Sequence, residues 1–224
     1  MRFELFEQFL DEADINDERI LLNTKWARPK DVEKWLKENG FKKIGGGAFA
    51  GAWLKGGSKR IIKVARKPDP CFLNFAKWAV TKTKNPHLPD IPWIAEFTIT
   101  EGPNKGGKFF IVPVEKLQPF KKEQMKAIKD PVILGSLLIN KELWAEERKD
   151  VFRILRKELN LPETQKEAVP KIKRFLNKNK NHRWLKTLAQ IKGVAGVDCI
   201  DDLHTSNMMW RPSTKSLVIT DPLA

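Results

Sequence analysis

Apolar residues in the first half of the chain alternate with polar residues in short runs. Glycine and proline turns bound these runs, a combination that predicts β-strands. The last two runs are joined by the sequence Gly-Pro-Asn-Lys-Gly-Gly, which is typical of a hairpin connection. We therefore predict strands at residues 41–44, 50–54, 60–65, 93–100 and 108–114.

The other segments of this half have the spacing of amphipathic helices. Residues 3–22 set apolar side chains among acids and predict a helix with a break near residues 14–17. A second helix is predicted to begin at Pro29, because proline suits a first turn, and to stop at Asn39 before a glycine. Residues 71–82 predict a short helix that follows another proline.

The second half of the chain has mostly helical spacing. After residue 119, apolar residues recur three, four or seven positions apart, which places them on one face of a helix. Two such sets are Trp144, Val151, Leu155 and Leu159, and Trp184, Leu188 and Ile191. Short strands are predicted again at residues 207–210 and 217–220, on either side of a proline–serine turn.

This distribution predicts an α+β protein with two lobes around a cleft. The predicted N-terminal lobe, residues 1–117, is rich in strands, and the predicted C-terminal lobe, residues 118–224, is helical. A chain of 224 residues is long enough for one sizeable core or for two such lobes. No apolar run approaches the roughly 20 residues that cross a bilayer, so we expect no contact with a membrane.

Composition is that of a soluble, cytoplasmic protein. Hydrophobic residues make up 41% of the chain and charged residues 31%. The first residues mix acids among apolar side chains and lack the uninterrupted core of a signal peptide. Cys71 and Cys199 are far apart and form no metal-ligand spacing, so we expect free thiols in a reducing cytoplasm.

The net charge of +14 is unevenly placed. Residues 118–193 hold 19 Lys and Arg against 9 Asp and Glu, and residues 171–192 hold eight basic residues and no acidic one. Two interpretations of this basic stretch remain open. It is either a solvated helical face or a docking surface for an acidic partner or nucleic acid.

A glycine-rich segment between the first two predicted strands is a candidate phosphate-binding loop. Glycines let backbone amides approach a phosphate, and an aromatic residue can cap the tip of the loop. The segment comprises Gly45, Gly46, Gly47, Ala48 and Phe49. Taken alone, three glycines more often form an ordinary turn.

Lys63 lies at the centre of the apolar strand predicted at residues 60–65. Alternation directs its side chain to the face opposite Ile62 and Val64. A lysine inside an apolar strand is costly unless an anion meets it, so Lys63 is a candidate partner of a phosphate. The alternative is an exposed position at the edge of the sheet.

Three polar residues near the end of the chain form a second candidate group. Asp202 comes five residues before Asn207, and Asp221 comes fourteen residues after Asn207, at the end of an apolar run. Phosphoryl transfer needs an acid beside the acceptor hydroxyl, and amide and carboxylate oxygens on magnesium. Asp202 is the candidate acid, and Asn207 and Asp221 are the candidate magnesium ligands. The alternative is a polar turn and an ordinary strand end.

Together these motifs resemble those of protein kinases, and most closely those of the small serine/threonine kinases that lytic bacteriophages make early in infection. Three patterns carry the resemblance: Gly-Gly-Gly-Ala-Phe-Ala with Arg-Ile-Ile-Lys-Val, Asp-Leu-His-Thr-Ser-Asn-Met-Met-Trp, and Val-Ile-Thr-Asp-Pro. The resemblance implies a minimal, bilobal, kinase-like fold that is truncated after the metal-binding aspartate and binds ATP and Mg²⁺. It implies that Lys63 and Asp202 are catalytic residues. It also implies that the glycine-rich segment, Lys63, Val114 and Glu115 bind the nucleotide.

The resemblance also implies transfer of phosphate to Ser or Thr of host proteins, including parts of the transcription machinery, in the host cytoplasm. Two other functions remain open. A small-molecule phosphotransferase of the aminoglycoside or choline kinase type shares the Asp-Leu-His-x-x-Asn pattern. A pseudokinase-like binding module would instead use the basic helices to inhibit a host protein or to contact nucleic acid.

The chain departs from the protein-kinase pattern at the partner of the strand lysine. Residues 71–82, where the resemblance implies a glutamate, contain no acidic residue. Glu96 and an N-terminal acid such as Glu7 are candidate substitutes. The third glycine of the loop pattern is replaced by Ala50.

Overall fold

Helices and antiparallel strands make this an α+β protein, as the sequence predicts. The computed structural model describes residues 12–46, 49–66, 69–139, 145–194 and 207–220. The chain divides into two units, Met1–Thr83 with Asp90–Lys116, and Lys84–Pro89 with Leu117–Ala224. None of the helices in the described residues is long and apolar enough to cross a membrane. The assignment of residues 1–117 and 118–224 to the lobes of a kinase stays a prediction.

The first unit is built on a five-stranded antiparallel sheet with the strand order β1-β2-β3-β5-β4. The strands are β1 (Phe41–Gly46), β2 (Ala50–Lys55), β3 (Arg60–Ala65), β4 (Ala95–Thr98) and β5 (Lys108–Glu115). The turn between β2 and β3 contains Gly57, whose φ of 83° is in the left-handed region that favours glycine. The strand predictions for this half of the chain are confirmed, with small shifts at the ends.

The described helices of this unit are α1 (Glu12–Asn23), α2 (Pro29–Glu38) and α3 (Pro70–Val80). The predictions of α2 and α3 are confirmed. The predicted break near residues 14–17 is wrong, because α1 runs through it, and residues 3–11 are outside the described part. Acidic side chains stabilise the first turns of a helix, and Asp17 also forms an ion pair with Lys55 at 2.6 Å.

One face of the five-stranded sheet packs against α1 and α2 and forms the core of the first unit. The alternation along each strand supplies apolar side chains to this face, and the two helices cover them. The buried members of the cluster are Leu21, Val32, Leu36, Phe41, Trp53, Ile62, Val64, Ile99, Phe109 and Ile111. Helices α1 and α2 therefore cover one face of the sheet. The side chains at the alternate strand positions point to the opposite face.

Cys71, near the start of α3, is disulfide-bonded. The expectation of a free thiol at this position is therefore wrong. Separation along the sequence does not prevent a thiol from pairing, because folding decides which Cβ atoms come within bonding range. Cys199 lies outside the described residues.

In its described residues, the second unit combines five helices with a three-stranded antiparallel sheet of order β6-β7-β8. The helices are α4 (Lys122–Met125), α5 (Pro131–Ile139), α6 (Ala145–Leu159), α7 (Gln165–Lys178) and α8 (Arg183–Val194). The strands are β6 (Gln118–Pro119), β7 (Met208–Arg211) and β8 (Ser216–Ile219).

The central helix of the second unit is α5, which packs against α6, α7 and α8. It is apolar on every side, as expected of a helix surrounded by others. The predicted helical faces of its neighbours are largely confirmed where they are described. Val151, Leu155, Trp184, Leu188 and Ile191 are buried, whereas Leu159 is half-buried. Trp144 lies outside the described residues.

Candidate functional site

Backbone pairing places Gly45 and Lys63 in one row across the sheet of the first unit. Gly45 is opposite Ala52, Ala52 is opposite Lys63, and Lys63 is opposite Val112. Directly opposite residues point to the same face of a sheet, and neighbouring strands are about 4.8 Å apart. Gly45 and Lys63 are therefore on the same face, with their backbones roughly 10 Å apart.

This row is on the sheet face that α1 and α2 do not cover. Ile62 and Val64, the neighbours of Lys63, belong to the core on the other face, which confirms the predicted direction of the Lys63 side chain. Lys63 is half-buried, and its Nζ lies 4.1 Å from the centroid of the Phe72 ring in α3. An aromatic ring attracts a cation electrostatically, so this contact helps to hold the ammonium at the face.

Of the two acids suggested as partners of Lys63, only Glu96 is described, and it pairs with Lys108. Glu96 is at the exposed edge strand β4, where its carboxylate accepts a hydrogen bond from the Lys108 ammonium. This hydrogen bond lowers the pKa of the Glu96 carboxyl. Glu7 is outside the described residues. On α3, which carries no acidic residue, the side chain beside Lys63 is the ring of Phe72.

Gly45 and Gly46 have different surroundings. A Cβ atom at Gly46 would lie 3.0 Å from Cε of Lys43 and 3.2 Å from the carbonyl oxygen of Ala50, so the fold itself favours glycine there. A Cβ atom at Gly45 would meet no described atom within 4 Å, and the backbone there does not have a positive φ. Packing within the described residues therefore gives no reason for glycine at position 45.

The end of the glycine-rich segment is anchored by contacts that the sequence did not reveal. Gly47 and Ala48 are outside the described residues, and Phe49 follows them with 54% of its surface exposed. The Phe49 carbonyl accepts the N–H of Arg66 at 2.8 Å, and Nε of Arg66 donates to Glu33 of α2 at 2.7 Å. The backbone of Phe49 is thus fixed to the end of β3, while its ring faces solvent.

Val114 and Glu115, the other predicted nucleotide-binding residues, end strand β5. Val114 pairs with Ile61 and is on the same face as Lys63, where it is buried. Glu115 and Asp90 are joined by two hydrogen bonds, one donated by the N–H of each residue. The Glu115 N–H donates to the Asp90 carbonyl at 2.9 Å, and the Glu115 carboxylate accepts the Asp90 N–H at 3.1 Å. The Glu115 side chain therefore holds the adjacent chain segment in place.

In the second unit, the β7–β8 hairpin brings Asn207 of the second candidate group close to Thr220. Asn207 directly precedes β7, and its carbonyl accepts both the N–H of Thr220 at 2.9 Å and the Thr220 hydroxyl at 3.1 Å. Thr220 is the residue before Asp221. Asp221 and Asp202 are outside the described residues, which by themselves contain no cluster of His, Cys, Asp and Glu that would hold a metal ion.

His87 fixes strand β8 of this hairpin. Its carbonyl accepts the N–H of Ile219 at 3.0 Å, and its Nδ1 is 3.0 Å from the carbonyl oxygen of Leu217, to which a neutral ring donates. The imidazole also packs edge-on against Trp184. Burial lowers the pKa of His87, and the neighbouring positive charge of Arg183 acts in the same direction.

We expect acid to destabilise the protein through His87. Because its folded-state pKa is below the ordinary value of 6.5, the neutral ring contributes fully above about pH 6.5, and this contribution is lost as the pH falls through the folded pKa. The loss approaches about 1.4 kcal/mol per pH unit for one proton. Urea denaturation of the wild type and of His87→Asn between pH 7.5 and 5 measures this pH dependence of the free energy of unfolding. The variant should have the shallower pH dependence, and identical slopes would contradict the assignment.

Two local arrangements therefore carry the candidate chemistry. One is the row that joins Gly45 to Lys63 in the first unit, and the other is the contact of Asn207 with Thr220 in the second. No protein-family model matches the chain, and no curated protein matches its sequence. A proposal of function thus rests on these two arrangements and on the order of the motifs.

Proposed function

We propose that the protein is an ATP- and magnesium-dependent serine/threonine protein kinase with a minimal kinase-like fold. The observation that carries the proposal is the position of Lys63. It lies on the third strand of the sheet, on the same face as Gly45 of the glycine-rich segment. Protein kinases cover the nucleotide phosphates with a glycine-rich loop and bind them with a lysine on their third strand.

The surroundings of Gly45 fit a ligand that approaches the backbone closely. The described residues leave open space at the position of a Gly45 side chain, on the face that presents the Lys63 ammonium. A phosphate group there would be close to backbone amides and to the Lys63 ammonium. Phe49, which is exposed at the end of the segment, would cover such a group.

Asn207 and Asp221 are the proposed magnesium ligands. The amide of Asn207 and a carboxylate are oxygen donors of the kind that Mg²⁺ prefers. The hydrogen bonds between Asn207 and Thr220, the residue before Asp221, support this pairing. Bound magnesium would neutralise charge on the nucleotide phosphates. Asp202 would orient the acceptor hydroxyl and accept its proton at a carboxylate oxygen.

The proposed substrates are serine and threonine residues of host proteins, in the host cytoplasm if the chain is encoded by a phage. The eight basic residues of the stretch 171–192 are all exposed. Their exposure suits docking of an acidic protein, including a component of the transcription machinery, and it suits nucleic acid as well. We favour the protein partner because a kinase needs to hold its protein substrate.

A pseudokinase-like binding module is the second candidate function. The observation that favours it is the lack of an acid on α3, where Phe72 occupies the place beside Lys63. Protein kinases need an ion pair between the strand lysine and a helix glutamate. The two functions differ in one outcome, because a pseudokinase would bind a partner without transferring phosphate.

Substitution of Gly45 tests the nucleotide site without disturbing the fold. Gly45→Val should leave the melting temperature unchanged, since the side chain enters open space. It should weaken binding of ATP with magnesium by about tenfold, or about 1.4 kcal/mol, because it blocks the approach of the phosphates. Lys63→Ala should also weaken binding. Calorimetric titration measures both effects.

Two matched variants serve as controls for this titration. Gly56→Val places the same side chain at a turn glycine with equally open surroundings, and Lys42→Ala removes an exposed lysine of β1. Because Lys42 is on the same sheet face as Lys63, Lys105→Ala, at an exposed position between β4 and β5, is the stricter lysine control. Gly56→Val and Lys105→Ala should bind ATP as the wild type does. Wild-type affinity in Gly45→Val and Lys63→Ala would refute the proposed site.

A further inference from the structure

A pocket in the second unit combines an apolar floor with a positively charged rim. It lies between α5, α6 and α7 and has a volume of about 380 Å³. Leu138, Ile139 and Val169 supply the apolar lining. Arg148, Lys166 and Lys173 supply the cations. No described lining residue is acidic, so the pocket favours a ligand that is both apolar and anionic.

Three of these residues form a stripe along α7. Lys166, Val169 and Lys173 are three and four positions apart, which places them on one side of the helix. At 1.5 Å per residue the two lysines are about 10 Å apart along the axis, with the valine between them. Arg148 of α6 adds a third cation to the lining.

We propose that this pocket docks an acidic segment of a partner protein through one or two apolar side chains. Side chains of an extended peptide alternate between two faces and rise about 3.3 Å per residue. Carboxylates two positions before and two positions after an apolar residue therefore share its face, about 13 Å apart, within reach of the long Lys166 and Lys173 side chains. The segment then has an apolar pair with two acids on each side, so that one apolar residue contacts Val169 and Leu138 and the carboxylates of the same face lie on the rim.

The lining favours a peptide over nucleic acid. Phosphates would meet the cations, but bases bind to proteins largely by stacking on aromatic rings, and no described lining residue is aromatic. Aliphatic side chains instead fit the apolar floor, and the exposed lysines leave the rim open to a macromolecule. In the proposed kinase this surface recruits the substrate, and only that role rests on the proposed function.

Binding is tested with a fluorescein-labelled peptide, Gly-Glu-Asp-Leu-Leu-Asp-Glu-Gly, added to the full chain without nucleotide. Fluorescence anisotropy should show saturable binding by the wild type. A second peptide, with Ser-Ser in place of Leu-Leu, keeps the charge and should bind about tenfold more weakly, because it lacks the apolar anchor. Absence of binding, or equal binding of the two peptides, would overturn the proposal.

Paired charge reversals separate the pocket from the general positive charge. Lys166→Glu with Lys173→Glu alters the rim. Lys149→Glu with Lys157→Glu changes the net charge equally, at exposed positions of α6 that neither line the pocket nor belong to the stretch 171–192. The first pair should weaken binding at least about tenfold and the second about twofold or less. Equal losses would show diffuse attraction and contradict a docking pocket.

The outcomes also separate this inference from the proposed function. Peptide binding is measured without ATP, and phosphate transfer is measured without the peptide. Phosphate transfer without binding of the peptide would support the proposed function and overturn the docking site. Binding of the peptide through the rim without phosphate transfer would support the docking site and contradict the kinase activity.

Discussion

Replacing Asp202 with asparagine is expected to abolish phosphate transfer and to leave the binding of ATP with magnesium intact. The proposed carboxylate acts on the acceptor hydroxyl and not on the nucleotide, so its loss affects the reaction and not the affinity. Loss of a positioned general base lowers a rate by on the order of 10²-fold or more. A transfer assay beside a nucleotide-dependent thermal shift measures both quantities.

Asp201 provides the matched control for this substitution, because it is the same residue type one position earlier. Asp201→Asn should retain transfer. Wild-type activity in Asp202→Asn, or an equal loss in the two variants, would remove Asp202 from the proposed mechanism.

The second large effect is expected at a buried ion cluster in the first unit. Nε of Arg60, at the start of β3, lies 3.2 Å from Oε1 of Glu18 in α1, and both side chains are less than a tenth exposed. The Arg60 guanidinium also contacts Asp90 at 3.0 Å, and the Trp93 indole donates to Glu18 at 3.0 Å. The cluster thus ties α1 to the strand that carries Lys63.

Arg60→Met should lower the free energy of unfolding by about 3–5 kcal/mol, because it leaves the Glu18 carboxylate buried without its cation. The double variant with Glu18→Met should regain much of this loss, since it removes both charges. Urea denaturation followed by tryptophan fluorescence provides the measurement.

Arg28 offers a control for the buried cluster, because its ion pair with Asp31 is exposed to solvent. Arg28→Met should cost less than about 1 kcal/mol. An Arg60→Met protein as stable as Arg28→Met would contradict the account of the cluster.

Much of the fold was readable from the sequence because its strands alternate. The burial of Ile62 and Val64 on one face and the direction of Lys63 on the other follow from a period of two residues. Helix α5 falls in the half that was predicted to be helical, but its bounds could not be read. It is almost entirely apolar and has no periodicity to detect. Strand β6 was also missed, because two residues that include a proline carry no strand pattern.

The contacts around the candidate site were less predictable. Phe72 beside Lys63, and Arg66 between Phe49 and Glu33, depend on how α3 and α2 pack against the sheet. Sequence spacing within a strand fixes the direction of a side chain, but it does not specify the neighbours that other elements bring. The capture of Glu96 by Lys108 is a further example, because it depends on the pairing of β4 with β5.

The central claim is that this chain transfers phosphate from ATP to protein hydroxyls. The most direct measurement is incubation of the purified protein with γ-labelled ATP and magnesium, alone and with a bacterial lysate, followed by gel separation and phosphoamino-acid analysis. Label should appear on serine or threonine, on lysate proteins or on the chain itself, which has no tyrosine. It should require magnesium and disappear in Asp202→Asn. Binding of ATP with no labelled protein, or label confined to a small metabolite, would contradict the proposed function.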